Sequence, residues 1–195
     1  MFSDHLILAI LWLLYCLLHS VLASRSVKTK LQQGLGIGKN NYRLGYNLFA
    51  LLSLVALILG HLSVPSIVLF NAPLVQTIGS VVLLLTGGII MFICIKKYFL
   101  QLSGLRKLPP SATAAVLETG GIHRFVRHPL YLGTFIFLAG LLLLFPLLSN
   151  FIAVLIIIVY TMIGIRYEEN KLIAEFGEFY RSYQKKVPRI IPFLK

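Results

Sequence analysis

Three stretches of this chain, residues 5–24, 44–95 and 129–165, contain no aspartate, glutamate, lysine or arginine. Runs like these can sit in hydrocarbon, where an ionised side chain at mid-depth costs roughly 2.5–3.5 kcal/mol. Lipid also forces backbone polar groups to be satisfied internally, which favours helices. The first stretch makes one span. The second is too long for one, and its middle, residues 61–73, carries two prolines, two serines and an asparagine, so helices are expected near 44–61 and 74–95. The third breaks at residues 146–150, leaving two legs of about 16 residues where a full crossing needs roughly 20, which predicts a tight hairpin. The expected fold is all-α: a multi-pass bundle of five hydrophobic helices in one domain, 1–195. Residues 1–95 hold three helices; residues 96–195 hold a loop, the hairpin and an amphipathic C-terminal helix. With 58% hydrophobic and 12% charged residues, lipid is the natural solvent for it.

The cations test this count. Arg25, Lys28, Lys30, Lys39 and Arg43 follow helix one. Lys96, Lys97, Arg106, Lys107, Arg124 and Arg127 follow helix three, and the remaining seven lie between Arg166 and Lys195, after helix five. An alternating topology therefore gathers every cation on one side, which places the N-terminus outside and the C-terminus in the cytoplasm. A secretory signal would carry its charge before the apolar run, whereas Arg25 and Lys28 come after it, so helix one is expected to be retained. The net charge of +12 flanks apolar spans and shows no nucleic-acid motif, so membrane lipids are the expected partners.

Several features carry no chemistry on this reading. Cys16 and Cys94 fall within helices and are assigned to packing. His19 and His61 are expected to form interfacial or interhelical hydrogen bonds, and Cys16 with His19 supplies too few ligands for a metal. Residues 34–39, Gly-Leu-Gly-Ile-Gly-Lys, lack the spacing of a phosphate-binding loop and are expected to form a flexible connector. The midplane has almost no ionisable group, which argues against a pump or ion-coupled transporter.

Two clusters remain where hydrocarbon meets the basic side. Residues 117–133 contain a Gly120-Gly121 pair suited to a tight turn, then Arg127, His128 and Pro129 at a helix start, with Tyr131 one turn inside. Residues 166–183 read as helix, with Glu169, Leu172, Ile173 and Phe176 on one inward face. A carboxylate there requires a cationic partner, from protein or ligand. Such side chains also snorkel, cap helices and pair with one another, so residue type alone leaves a structural and a functional role both open.

The order Arg127-His-Pro-x-Tyr131-x-Gly133, then Glu168-Glu-x-x-Leu172-x-x-x-Phe176-Gly177-x-x-Tyr180-x-x-Tyr183, then Val187-Pro-Arg-x-x-Pro192, resembles the isoprenylcysteine carboxyl methyltransferase family. That superfamily includes phospholipid and small-thiol methyltransferases. The segment from His19 to Arg25 is similar to its bacterial thiol-methylating branch, which implies a bacterial inner membrane. The resemblance implies S-adenosyl-L-methionine as cofactor, bound at the cytoplasmic edge, with a lipophilic or small-thiol methyl acceptor: a prenylcysteine carboxylate, a phospholipid amine or a thiol. By the same resemblance Glu169 takes the cofactor's ammonium and His128 and Tyr131 its carboxylate or ribose. The backbone from Leu117 through Gly121 to Ile122 takes the adenine edge, Arg166 orients the acceptor and Arg127 supports the site. No metal and no obligate protein partner is expected. His123 and Gly164 depart from the family pattern, standing where a tyrosine and, in several prenylcysteine enzymes, an arginine occur. Membrane sterol reductases, which use NADPH, share part of the pattern but carry Asn and Asp where Leu130 and Thr134 stand. A small transporter or a non-catalytic membrane sensor is the alternative outside enzymes. Residues 102–116, with Pro109-Pro110 and a Ser-Ala-Thr-Ala run, suggest a mobile segment.

Overall fold

A computed structural model describes residues 2–71, 73–102 and 117–192, so the expectation for residues 102–116 lies almost wholly outside the described residues. Among the described residues seven α-helices run in order: α1 (Phe2–Ala23), α2 (Arg25–Leu35), α3 (Lys39–Ser63), α4 (Leu74–Leu102), α5 (Pro129–Leu144), α6 (Leu148–Phe176) and α7 (Glu178–Lys186). Four of them, α1, α3, α4 and α6, are long and apolar enough to cross a membrane, and α5 is a shorter apolar helix. The chain is a multi-pass helical membrane protein. Its helices alternate between a basic end, where the described lysines and arginines gather, and a far end: the α3 start meets the α1 end through Tyr42 and Leu22 O, and the α4 start meets the α5 end through Gln76 and Leu143 O.

The boundaries differ from expectation where capping chemistry outweighs hydropathy. Part of the connector after α1 is helix: Ser24 opens α2 by accepting the Val27 N–H at 3.4 Å, and Gly36 closes it at φ 62°. Gly38 then starts α3, so residues 34–39 form a helix end, a turn and a helix start in place of the expected flexible connector. Pro129 occupies the first turn of α5, where its missing N–H costs nothing. The membrane leg and the Glu169 cluster form one continuous helix, α6, and the chain turns only at Gly177, whose φ of 54° lets α7 leave at an angle.

Packing is closest between α4 and α5, where glycines stand at the contact. A Cβ on Gly87 would lie 2.5 Å from the Phe137 nitrogen and 2.6 Å from the Gly133 oxygen, and one on Gly140 would lie 2.8 Å from the Ser80 oxygen. Lipid offers no hydrophobic drive for helices to associate, so such close backbone approach is a main source of attraction. On the other flank α1 packs on α3 and α6 through Leu8, Trp12, Leu57 and Ala153. Leu6, Leu13, Leu59, Leu85 and Phe92 point outward, as lipid-facing side chains do.

Uncharged hydrogen bonds tie the far end. Residues 66–69 pair with the α5–α6 turn: Leu69 N–H donates to Pro146 O at 2.7 Å and Leu148 N–H to Ile67 O at 2.9 Å. Trp12 donates to His61 Nδ1 at 3.3 Å, which leaves His61 Nε2–H to donate to Asn150 Oδ1 at 2.8 Å. Asn150 in turn donates to Phe145 O at 2.8 Å. His19 meets the Tyr46 hydroxyl at 3.1 Å, so both histidines take the interhelical hydrogen-bonding role the sequence suggests. Cys16 and Cys94 are buried.

Candidate active site

The site forms where three segments distant in sequence converge at the basic end. A 3-10 turn, Gly121–Arg124, begins at Gly121 (φ 58°) and feeds an extended stretch into α5. That stretch pairs with the chain beyond α7: Arg127 N–H donates to Pro188 O at 2.9 Å and His128 N–H to Arg189 O at 3.1 Å. Tyr183 donates its hydroxyl to His123 O, and His123 Nδ1 lies 3.2 Å from Arg127 O. The Arg-His-Pro motif and the Val-Pro-Arg motif are therefore two sides of one backbone pairing.

Glu169 fills the centre of this arrangement, with its side chain 4% exposed. Arg127 reaches Oε1 with Nε at 2.8 Å and Nη2 at 2.6 Å, and Arg189 Nη2 meets Oε2 at 2.8 Å. His128 Nε2 and the Tyr180 hydroxyl approach Oε1 at 3.3 and 3.5 Å. Arg127 also uses Nη1 on Gln184 O (3.1 Å) and Val187 O (2.6 Å), closing the exposed carbonyls at the end of α7. Burial pushes the Tyr180 phenol well above its ordinary range, and the Glu169 carboxylate adds to the shift. Leu117, Leu172, Ile173 and Phe176 pack against Tyr180, Tyr183 and Val187 below the network, so the inward face expected for Glu169 is the observed one.

Beside the network lies a cavity of about 370 Å³. Its wall includes Leu117, His128, Tyr131 and Arg127 from the expected set, together with Cys94 of α4. Glu169 sits behind that wall, its charge met by protein cations. The carboxylates on the cavity are Glu118, Glu168 and Glu175. Glu168 accepts the Tyr131 hydroxyl at 3.1 Å, lies 3.8 Å from His128 Nδ1 and is 47% exposed. Gly121 and Ile122 shape the neighbouring turn without lining the cavity, and Arg166 is exposed one turn before Glu169. Sequence reasoning missed Glu168 and Arg189 as site members. Both were inside the quoted motifs, but only a three-dimensional register separates the wall-facing carboxylate from its neighbour.

Fold and site together define a helical membrane protein with a buried ionic network walling a carboxylate-rich cavity at its basic end. The family model described as NnrU protein matches residues 6–192, and the chain belongs to that family, which is isoprenylcysteine methyltransferase-like. A protein named methanethiol S-methyltransferase 1 from Bradyrhizobium diazoefficiens is 29% identical over 94% of this chain and 65% of its own length. One named protein-S-isoprenylcysteine O-methyltransferase from Schizosaccharomyces pombe is 39% identical over 40% of this chain and 34% of its own. One named methanethiol S-methyltransferase from Crocosphaera subtropica is 31% identical over 42% of this chain and 31% of its own. The chain thus spans less than two thirds of the length of these relatives. No solved structure matches it at a significant level.

Proposed function

We propose that this protein is an S-adenosyl-L-methionine-dependent methyltransferase, working at the cytoplasmic face of a bacterial inner membrane on a lipophilic or small sulfur-containing acceptor. The observation that carries the reading is the cavity, lined by Glu118, Glu168 and Glu175 together with aromatic Tyr131, Phe176 and Tyr180, in a chain whose relatives bear methyltransferase names. The donor set fits the cofactor. S-adenosylmethionine is cationic at its ammonium and sulfonium, and carboxylates and aromatic faces are what attract such groups. Glu168 faces the cavity and is our choice for the ammonium, taking the role the family pattern gave to Glu169. Tyr131 and Leu117 would hold the ribose and adenine side, with the Gly121-Ile122 turn bordering the adenine edge and Arg166 free to meet the acceptor. When bound, the cofactor supplies a methyl group on a positively charged sulfur. The protein's contribution is to exclude water and align the partners, which controls a displacement of this kind.

Titration calorimetry of detergent-purified full chain with S-adenosylhomocysteine, with NADPH as control, tests the proposal. Saturable binding of the first alone is expected. Binding of NADPH alone would support the reductase reading, and binding of neither by folded protein would overturn both.

A further inference from the structure

One histidine outside the candidate active site meets a cavity with half its hydrogen bonding unmet. His19 of α1 faces Tyr46 of α3, whose hydroxyl lies 3.1 Å from each ring nitrogen and 3.4 Å from His19 O. The two nitrogens point apart in the plane of the ring, so a single hydroxyl serves one of them at a time. Among the described residues no other group hydrogen-bonds the ring. His61 at the far end is the contrast, since Trp12 and Asn150 take one nitrogen each. The pair formed by His19 and Tyr46 borders a cavity of about 320 Å³ between α1 and α3, with Tyr15 and Phe49 beside them and Leu11 and Leu57 toward the middle of the bundle. Whichever of the two donates to the other, one polar proton is left for the cavity.

Three properties of the cavity specify its occupant. Among the described residues no Asp, Glu, Lys or Arg lines it, so a charged or zwitterionic head would be buried there unpaired. Leu14, Leu18 and Phe49 on its walls are also exposed on the outer surface of the bundle, so the way in is from lipid. Its hydrogen-bonding end is aromatic: the ring centroids of Tyr15 and His19 lie 6.0 Å apart and those of His19 and Tyr46 5.5 Å apart, company that suits a flat conjugated head better than an alkyl one. We infer that this cavity binds a lipid quinone, an uncharged ring bearing carbonyl oxygens on an apolar tail. A carbonyl can only accept, and His19 and Tyr46 between them offer it one donor. The helix from Leu11 to His19 is about 12 Å long, which gives the ring and the first part of a tail a bed before the tail passes into lipid. The volume falls at the small end of ligand pockets, as one ring requires. The site shares no lining residue with the carboxylate-rich cavity and does not rest on the methyltransferase reading.

Trp12, the chain's single tryptophan, supplies the readout. It packs with Leu57, and its ring centroid lies 6.4 Å from that of Tyr15, so a quinone held in the cavity quenches its fluorescence at short range. Full chain in phosphatidylcholine nanodiscs is titrated with decylubiquinone, and saturable quenching is expected. Quenching that only grows in proportion to added quinone, as partition into lipid gives, would overturn the site. Tyr46→Phe keeps the ring and removes the hydroxyl, and should raise the apparent Kd by about 3- to 10-fold. Ala50→Phe puts a ring into the cavity that Ala50 lines and should abolish saturation. If Ala50→Phe fails to fold, Tyr46→Phe decides alone: saturable quenching with the wild-type Kd would overturn the assignment and move the quinone to the far-end cavity, which Trp12 also lines. Dodecanol is the competitor. It is expected to displace the quinone poorly, and displacement at equal concentration would overturn the ring-headed class.

Discussion

The molecule ties itself together twice, once at each end, with opposite chemistry. At the far end Trp12, His61 and Asn150 link α1, α3 and the α5–α6 turn through uncharged hydrogen bonds, beside a cavity of about 380 Å³. At the basic end Glu169, Arg127, Arg189 and His128 link the start of α5, α6 and the chain after α7 through ionic bonds, beside a cavity of about 370 Å³. The far end shows that neutral groups suffice to staple helices in this protein. Buried ion pairs carry a desolvation cost that often cancels their attraction, so holding a bundle together does not by itself call for them. The charges at the basic end are better explained by what the cavity handles, as ionisable groups among membrane helices usually are.

Glu169→Gln should produce the largest effect. It leaves two guanidinium groups facing an amide, and losing one member of a buried pair costs about 3–5 kcal/mol. A sharp fall in thermal midpoint of detergent-purified protein, together with loss of S-adenosylhomocysteine binding, is expected. A fully stable variant that merely binds less tightly would show that the network is a ligand site and not a staple, and would dissolve the comparison.

That outcome bears on what the sequence discloses. The spans are legible because charge is forbidden over long stretches, and helical spacing alone turns Glu169 inward with Leu172 and Phe176. Its partners are another matter. Arg189 reaches Glu169 only because residues 127–128 pair with residues 188–189, a register set by the packing of α6 and α7 after the turn at Gly177. Nothing local in either motif encodes it. Glu168 and Glu169 are adjacent, so no spacing rule says which one faces a cavity. The second helix, α2, is amphipathic yet buries no residue, and hydropathy passes over it; its signals are the Ser24 and Gly36 caps.

Glu168→Gln separates cavity from network. The amide can still accept the Tyr131 hydroxyl, so stability should move by no more than about 0.5 kcal/mol. Removing one charge-assisted contact to the cofactor's ammonium should weaken S-adenosylhomocysteine binding by about 1.5–3 kcal/mol in calorimetry, roughly 10- to 100-fold. Unchanged affinity would return the ammonium to another carboxylate of the wall. The far end should answer in the opposite sense. Asn150→Ala removes the acceptor of His61 Nε2–H and the donor to Phe145 O, and should cost about 1–2 kcal/mol of stability with ligand affinity intact. A loss of affinity there would couple the two ends.

The smallest effect belongs to Arg166, and it draws the edge of the charged region. Arg166 lies on α6 one turn before Glu169, yet it is exposed and does not line the cavity. A long cationic side chain at that depth can reach the water boundary along its own apolar stem, so anchoring alone would account for it. Arg166→Ala should leave stability within about 0.5 kcal/mol and leave S-adenosylhomocysteine affinity unchanged. If Arg166 also orients the acceptor, KM for the acceptor rises while the affinity for S-adenosylhomocysteine holds, because only uniform acceptor binding has been removed. If KM holds as well, the functional charges of the basic end reduce to those around Glu168 and Glu169, and Arg166 belongs with the cations that orient the chain in its membrane.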